Sequence, residues 1–257
     1  MRDLVESWLK RALLEVQEYV RLSYEAGRAT VTRPIYVHDI VEQFDAIGVG
    51  SLTVVLLTGL FTGAVLALQS GITLDQFGAR SEVGRLVGAS MLKELGPVLT
   101  ALMVAGRVGS GIAAELGSMV VTEQINALRA LGTDPVRKLV VPRVLAGFFM
   151  VPILTTIANA VGMIGAWVIA VGQLRVASSV YWNSVWNGLG IEDVWMALIK
   201  PFFLGFVVVT IGCHVGLRTT GGTQGVGRAT TNAVVASSVA VLAVDFFVTK
   251  MLIVLLY

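Results

Sequence analysis

Five stretches of this chain are apolar for a length that can cross a lipid bilayer. A hydrocarbon core takes about 20 apolar residues as a helix. Residues 51–69, 86–117, 136–172, 194–216 and 232–257 each reach or approach that length. Inside lipid, backbone polar groups must bond within their own segment, so such stretches are expected to be helices. The surface of a soluble domain could not be built from what remains: 14% of the 257 residues are charged and mean hydropathy is +0.79. The fold class that follows is an all-α polytopic membrane protein. It has an N-terminal interfacial helix, five transmembrane helices, and a short cytosolic helix between the second and third spans. Residues 1–47 are expected to form the interfacial segment, and residues 48–257 the five-helix domain.

The one long polar run between two spans is Glu115–Arg143, ELGSMVVTEQINALRALGTDPVRKLVVPR. A connection between spans needs only a few residues, yet this one carries a helix of its own. Thr122 can cap EQINALRAL, and Gly132 can end it in the left-handed conformation. Asp134-Pro135 then reads as a fresh start, an N-cap followed by proline at the first helical position. Ile125 and Leu128 share one face; Glu123, Asn126 and Arg129 lie elsewhere. A protruding helix of this kind suits a soluble partner, although an ordinary solvated loop helix has the same pattern.

At the N-terminus, Leu4, Trp8, Ala12, Val16 and Val20 fall on one helical face, with Arg2, Lys10, Arg11 and Arg21 off it. The pattern fits a helix lying in the membrane interface, and equally one packed on the protein's own cytosolic surface. Pro34 ends it, and a short amphipathic piece through Val41, Phe44 and Ile47 leads to the first span. The N-terminus lacks the pattern of a cleaved signal peptide.

The polar segment 70–85 cannot cross a bilayer. The second span, 86–117, would be roughly 45 Å long as a helix, more than the hydrocarbon core. Its Ala101, Ala105, Gly109, Ala113 and Gly117 form a ridge of small residues suited to close helix contact in lipid. Pro142 and Pro152 predict breaks or kinks in the third span. Tyr181, Trp182 and Trp186, in the polar segment 173–193, suit a membrane interface. Residues 217–228 are expected to form a glycine-rich turn. With the N-terminus inside, thirteen of the nineteen lysines and arginines lie on the inner side. The positive-inside rule therefore places the N-terminus in the cytosol and the C-terminus outside.

Charges within spans come next, because lipid makes them costly unless paired or wet. Lys93 and Glu94 are adjacent, so they point about 100° apart and cannot simply pair with each other. Each needs a partner helix or a polar cavity. Asp245 and Lys250 pose the same question in the fifth span. Catalytic chemistry has little to work with. Gly222 and Gly227 have the spacing of a phosphate loop, but Arg228 and Ala229 stand where Lys and Ser/Thr belong. The two histidines are His38 and His214; Ser110 lacks a nucleophile frame; Cys213 is the only cysteine and cannot build a thiolate cage.

Five motifs carry a resemblance: EQFDAIGVGSL, FTGAVLALQ, KELGPVLTALMVAGRVGSGIAAELG, TEQINALRALGTDPVRKLVVPRVLA and GRATTNAVVASSVAVLAVDFF. In this order they resemble the MlaE/YrbE family, the permease subunits of MCE-type ABC lipid transporters. The resemblance covers nearly all of the chain from Val41 onward. It implies a non-catalytic permease of the bacterial inner membrane that moves phospholipids between the inner and outer membranes and maintains outer-membrane lipid asymmetry. It implies a homodimer, a cytosolic ABC ATPase dimer that binds ATP and magnesium, a small STAS-domain protein and a periplasmic hexameric ring of MCE domains. This chain would bind no cofactor, metal or nucleic acid itself. The family's coupling helix falls on residues 122–132, with Thr122, Glu123, Gln124, Ala127, Leu128 and Gly132 as ATPase contacts. Its lipid cavity, at the dimer interface beside the first and second spans, falls on Leu66, Leu74, Phe77, Lys93, Glu94 and Leu95. Lysine at 93, where the family also has arginine, offers phosphate a point charge rather than a fork. Two other classes fit the sequence: an intramembrane enzyme built on Ser110 and His214, and a passive anchor for a lipid-binding complex.

Overall fold

The computed structural model describes residues 2–30 and 36–256, and for residues 2–9, 11 and 12 the backbone alone. Pro34, expected to end the first helix, and the Leu4, Trp8 and Ala12 side chains lie outside the described residues. The described chain is helical, with no strand. Its helices are α1 (Arg2–Ala29), α2 (Val37–Asp75), α3 (Arg80–Val121), α4 (Gln124–Ala130), α5 (Val136–Gly172), α6 (Ser178–Gly188), α7 (Ile191–Leu217) and α8 (Gly222–Leu256). Five of them, α2, α3, α5, α7 and α8, are long and apolar enough to cross a membrane.

Helices α3, α5 and α7 make the centre, with α2 packed along α5, and α8 along α7 and α3. The flanks α2 and α8 leave Leu57, Phe61, Val65, Val235, Val239 and Phe246 uncovered. The three remaining helices close the two ends. α1 and α4 lie at the end that holds the α7 C-terminus and the α5 N-terminus; α6 packs on the start of α3 at the other.

Small residues set how near the spans approach. The ridge Ala101, Ala105, Gly109, Ala113 and Gly117 is buried. It meets a matching row on α7, where a Cβ on Gly212 would lie 3.0 Å from the Gly109 carbonyl and one on Gly216 3.1 Å from Ala113 Cα. The tightest backbone-on-backbone contact between spans is between α2 and α5. A Cβ on Gly63 would sit 1.9 Å from the Gly162 carbonyl oxygen, and one on Gly165 2.3 Å from that of Leu60. Backbone lies on backbone here, so dispersion replaces side-chain interdigitation.

Of the breaks or kinks expected at the third-span prolines, the breaks do not occur. α5 is unbroken from Val136 to Gly172 despite Pro142 and Pro152. A π turn at Val136–Val140 precedes Pro142, and another at Met91–Leu95 precedes Pro97 with the same spacing. Widening the helix just before proline accommodates its ring and missing N–H without a break. Two more π turns, Asp45–Val49 and Ala105–Gly109, interrupt α2 and α3. The first of them joins the amphipathic piece at 37–44 to the first span as one helix, which runs through residue 47. The glycine-rich segment is likewise more helical than expected. Gly221 (φ 88°) and Gly222 (φ 65°) make the turn, and α8 begins at once. Gly225 then packs where a Cβ would meet the Thr220 carbonyl at 1.9 Å.

Replacing Gly63 by alanine is expected to force α2 and α5 apart and destabilise the protein by about 1–3 kcal/mol. Gly106, with nothing within 4 Å of its built Cβ, is the control: alanine there is expected to be neutral or to gain up to about 1 kcal/mol. Thermal unfolding in detergent reads both, and equal midpoints for the two variants would refute the close-contact account.

Candidate functional site

Two regions join charge to a place that a ligand or partner could reach. One lies within the bundle around Lys93 and Glu94; the other is α4 and its supports.

Lys200, on α7, is fully buried. An ammonium carries three N–H donors and no acceptor, and Lys200 faces three acceptors. Its Nζ donates to the Lys93 carbonyl at 2.7 Å and to Glu94 Oε2 at 2.8 Å, and lies 3.3 Å from Asp245 Oδ1. The first of these follows from sequence. Pro97 has no N–H to return to the carbonyl four residues back, which is that of Lys93. Lysine 200 fills that vacancy and balances two carboxylates from two other spans. Lys93 turns the other way and pairs with Asp193 at 2.8 Å. Asp193 also accepts from the Gly190 N–H at 3.1 Å, capping α7. The neighbours Lys93 and Glu94 thus bind different partners, and one network ties α3, α7 and α8 together. Lys200 and Asp193 were not singled out from sequence. Lys200 was nonetheless visible there as an ionisable residue within an apolar span.

Glu94 remains 45% exposed at its side chain. With Asp245 and Lys250 it lines an open groove of about 420 Å³ walled by Leu242, Phe246, Ile253 and Val254 of α8. The other expected cavity residues divide. Leu66, Leu74 and Leu95 are half-buried against one internal apolar cluster with Met91, Ala166, Ala170 and Tyr181. Leu95 also borders a narrow crevice between α2 and α3 with Thr58, Thr62, Leu99 and Met103. Phe77 stands apart, 77% exposed beyond the end of α2. Tyr181, in α6, donates to the Met163 carbonyl at 2.9 Å, and its burial pushes the phenol pKa well above its ordinary value.

The second region is α4. Thr122 does not cap it. The Thr122 hydroxyl donates back to the Ser118 carbonyl at 2.8 Å, finishing α3. Glu123 takes the cap position in the left-handed conformation, φ 60°. The chain has to reverse within two residues, and that sharp turn overrides the side-chain cap. At the other end Gly132 (φ 76°) stops the helix as expected, and Asp134 accepts from the Val136 N–H at 2.9 Å to start α5. Ile125 is buried, and Leu128 packs half-buried on the main core. Thr122, Glu123, Gln124, Ala127 and Gly132 are exposed, and Leu131 is 80% exposed. At the two ends of the polar run that holds α4, the buried Arg143 of α5 pairs with Glu115 of α3 at 2.7 Å and donates to the Leu139 carbonyl. Lys138 pairs with Asp39 of α2 and lies over the Tyr36 ring, 4.4 Å from its centroid.

Helix α1 docks beside this end through polar groups and through Leu22 and the buried Ala26. Tyr19 and Thr210 share a hydrogen bond of 2.8 Å, and Arg218 lies 2.7 Å from both Glu15 and Glu18. Leu13, Val16, Val20 and Tyr24 point away, each more than half exposed. One face thus meets protein while an apolar face stays uncovered. Nothing here resembles a nucleophile. Ser110 donates to the Gly106 and Arg107 carbonyls of its own helix, while His214 meets Glu15 and Tyr19. Cys213 is buried, and no cluster of metal-ligating side chains occurs among the described residues.

Removing the charge of Lys200 strands two carboxylates and a carbonyl. Lys200→Met is therefore expected to cost about 3–5 kcal/mol. Much of it should return when Glu94→Gln and Asp245→Asn are added, read by unfolding in detergent. An additive triple variant would show that the three groups do not act as a unit.

Comparison with known proteins follows the same lines. The family described as Permease MlaE matches residues 40–251. A probable ABC transporter permease of Rickettsia conorii is 42% identical over 236 residues, which is 92% of this chain and 91% of that protein. A probable ABC transporter permease of Synechocystis is 44% identical over 207 residues, 80% of this chain and 79% of its own. The intermembrane phospholipid transport system permease protein of Haemophilus influenzae is 38% identical over 214 residues, 83% of this chain and 82% of its own.

Proposed function

The chain belongs to the MlaE permease family, and from that premise we propose that it is the membrane subunit of an ATP-driven machine that moves phospholipid between the inner and outer membranes. As an ABC transporter permease it leaves ATP hydrolysis to a separate subunit, and its five apolar helices make it a multi-pass inner-membrane protein. In this reading two copies pair, a cytosolic ATPase dimer binds beneath them with a small STAS-domain protein, and an MCE-domain ring stands on the periplasmic side. The N-terminus is cytosolic, the C-terminus periplasmic, and the transported lipid maintains outer-membrane asymmetry. Residues 1–47 serve as the interfacial segment of the 48–257 permease domain.

One observation carries the reading: α4 is exposed on one face and fixed to the bundle on the other. A loose loop would absorb a push; with Ile125 in the core and the Glu115–Arg143 pair joining α3 to α5, α4 is expected to move with both helices. Glu123, Gln124, Ala127 and Leu131 offer a partner a mixed polar and apolar face. Leu128, half-buried, transmits the push into the core. The lipid pathway lies on the flanks of α2 and α3, with Leu66, Leu74, Phe77 and Leu95 as acyl contacts and Lys93 and Glu94 as its polar end. ATP binding and hydrolysis can move cargo only if lipid affinity differs between the two states of that pathway.

Two substitutions separate docking from transmission. Glu123→Arg is expected to weaken recovery of the ATPase subunit with the chain by about tenfold, the effect of about 1.4 kcal/mol. Ile125→Ala is expected to keep the assembled ATPase active while lipid transfer between vesicles falls. Full transfer by Ile125→Ala would remove α4 from the transmission path.

A further inference from the structure

At the α4 end of the bundle, the last turn of α7 and the first turns of α8 border an open cavity of about 570 Å³, with Glu15 of α1 on its rim. Thr219 places it. A Cβ on Gly117 would lie 2.7 Å from the Thr219 hydroxyl, so the cavity adjoins the stretch of α3 that leads into α4. Two arginines line it from different elements, Arg218 from the turn after α7 and Arg228 from the second turn of α8. Its volume falls within the range of small-molecule sites. It shares no residue with the lipid pathway on α2 and α3. Its apolar side chains are Val215 and Ala229, which offer no wall along which an acyl chain could lie.

The two arginines differ in state. Arg218 lies 2.7 Å from both Glu15 and Glu18, and His214 lies 3.5 Å from Glu15 on the same side. Arg228 is exposed and has no carboxylate within ion-pairing distance among the described residues. Its guanidinium lies beside Gly221, 3.5 Å from where a Cβ would stand, in a turn whose positive φ keeps that space clear. Thr220, and Asn232 one turn along α8 from Arg228, also line the cavity. Neither side chain has a hydrogen-bond partner among the described residues. The start of α8 adds the positive end of a long helix. A guanidinium fork matches phosphate geometry, and a tetrahedral dianion can accept from two forks, a hydroxyl and an amide at once. A lone carboxylate, with two oxygens, uses only part of that set. The spacing of Gly222 and Gly227 therefore makes no phosphate loop, yet the arginine that follows them faces a cavity suited to phosphate.

We propose that this cavity binds a soluble phosphate-bearing anion, inorganic phosphate or a phosphate monoester, and that the anion competes with Glu15 for Arg218. Arg228 holds one edge of the phosphate, while Thr220 and Asn232 donate to the other oxygens. Glu15 and Glu18 already balance the two arginines, so a dianion enters at the expense of a carboxylate. It takes Arg218 from Glu15, and α1 loses one of the polar contacts that dock it on α7. Docking of α1 and binding of the anion thus weaken each other by the same factor. The site does not depend on the transporter reading, since phosphate can bind whether or not lipid moves.

The test uses the full-length chain in phosphatidylcholine nanodiscs, without the ATPase and its own phosphate sites. Radiolabelled inorganic phosphate is the probe, read by equilibrium dialysis. One phosphate per chain is expected to bind saturably. Arg228→Gln changes an exposed residue without an ion pair, is expected to fold normally, and should weaken binding about tenfold. Glu15→Gln should strengthen it about threefold, because it removes an exposed competitor. Phosphate added to the parent chain should also speed hydrogen exchange in residues 13–24 of α1. Absence of saturable binding, or binding indifferent to residue 228, overturns the site. Weaker binding by Glu15→Gln overturns the competition and makes Glu15 a support of the cavity. The last arm adds phosphatidic acid to the nanodiscs and reads bound lipid by native mass spectrometry. Retention of that lipid through Arg228, in a chain that ignores free phosphate, would give the cavity to a headgroup and overturn the soluble ligand.

Discussion

A single ammonium group sets the constraint that the upper part of the bundle obeys. Lys200 has no water to turn to, so every one of its donors must find an acceptor on a neighbouring helix. The carbonyl freed by Pro97 and the Glu94 carboxylate accept from it, and Asp245 lies within ion-pairing distance. None of these groups is tolerable alone in lipid, and together they fix the rotation of α3, α7 and α8 about one point. Apolar contacts in a membrane give little orientational preference, because lipid is as apolar as the side chains. The polar knot supplies that preference, and it leaves one edge of Glu94 open to the groove.

At the opposite end a second ion pair, between buried Arg143 and the exposed side chain of Glu115, has a different task. Glu115 and Arg143 lie at the two ends of the polar run that contains α4, and they close it into a loop. With Ile125 set into the core, α4 becomes a rigid outgrowth of α3 and α5. Those two helices also carry the glycine and alanine rows that pack on α7 and α2. Close backbone contacts of this kind do not compress, so displacement at α4 passes along helices rather than being lost in side-chain rearrangement. In the function proposed above, these are the contacts through which the bundle would couple an ATPase-facing end to its membrane-facing flanks.

Much of this was legible in the sequence. Apolar length alone gives the five spans, and four-residue spacing of small residues gives the ridge on α3. The 100° offset between Lys93 and Glu94 says that they serve different partners; only the fold reveals these to be Asp193 and Lys200. The α2–α5 contact was missed, since Gly63 and Gly162 lie on separate segments and neither pattern names the other. The α8 start was misplaced because glycine is a poor helix former, while here Gly225 is helical so that the backbone can pass close to Thr220. Pro142 signalled a break that the π turn at Val136–Val140 makes unnecessary, and α5 runs past Pro152 unbroken as well. Thr122 offered a cap that the left-handed turn at Glu123 displaced.

The central claim is mechanical, that α4 and the membrane flank of α2 and α3 move as one. Pulsed dipolar spectroscopy on the assembled complex measures this directly, with spin labels placed between copies at exposed Ala127 and, separately, at exposed Val65 of α2. The account predicts that both inter-copy distances change together when ATP binds without hydrolysis. A changed distance at Ala127 with an unchanged one at Val65 would contradict it.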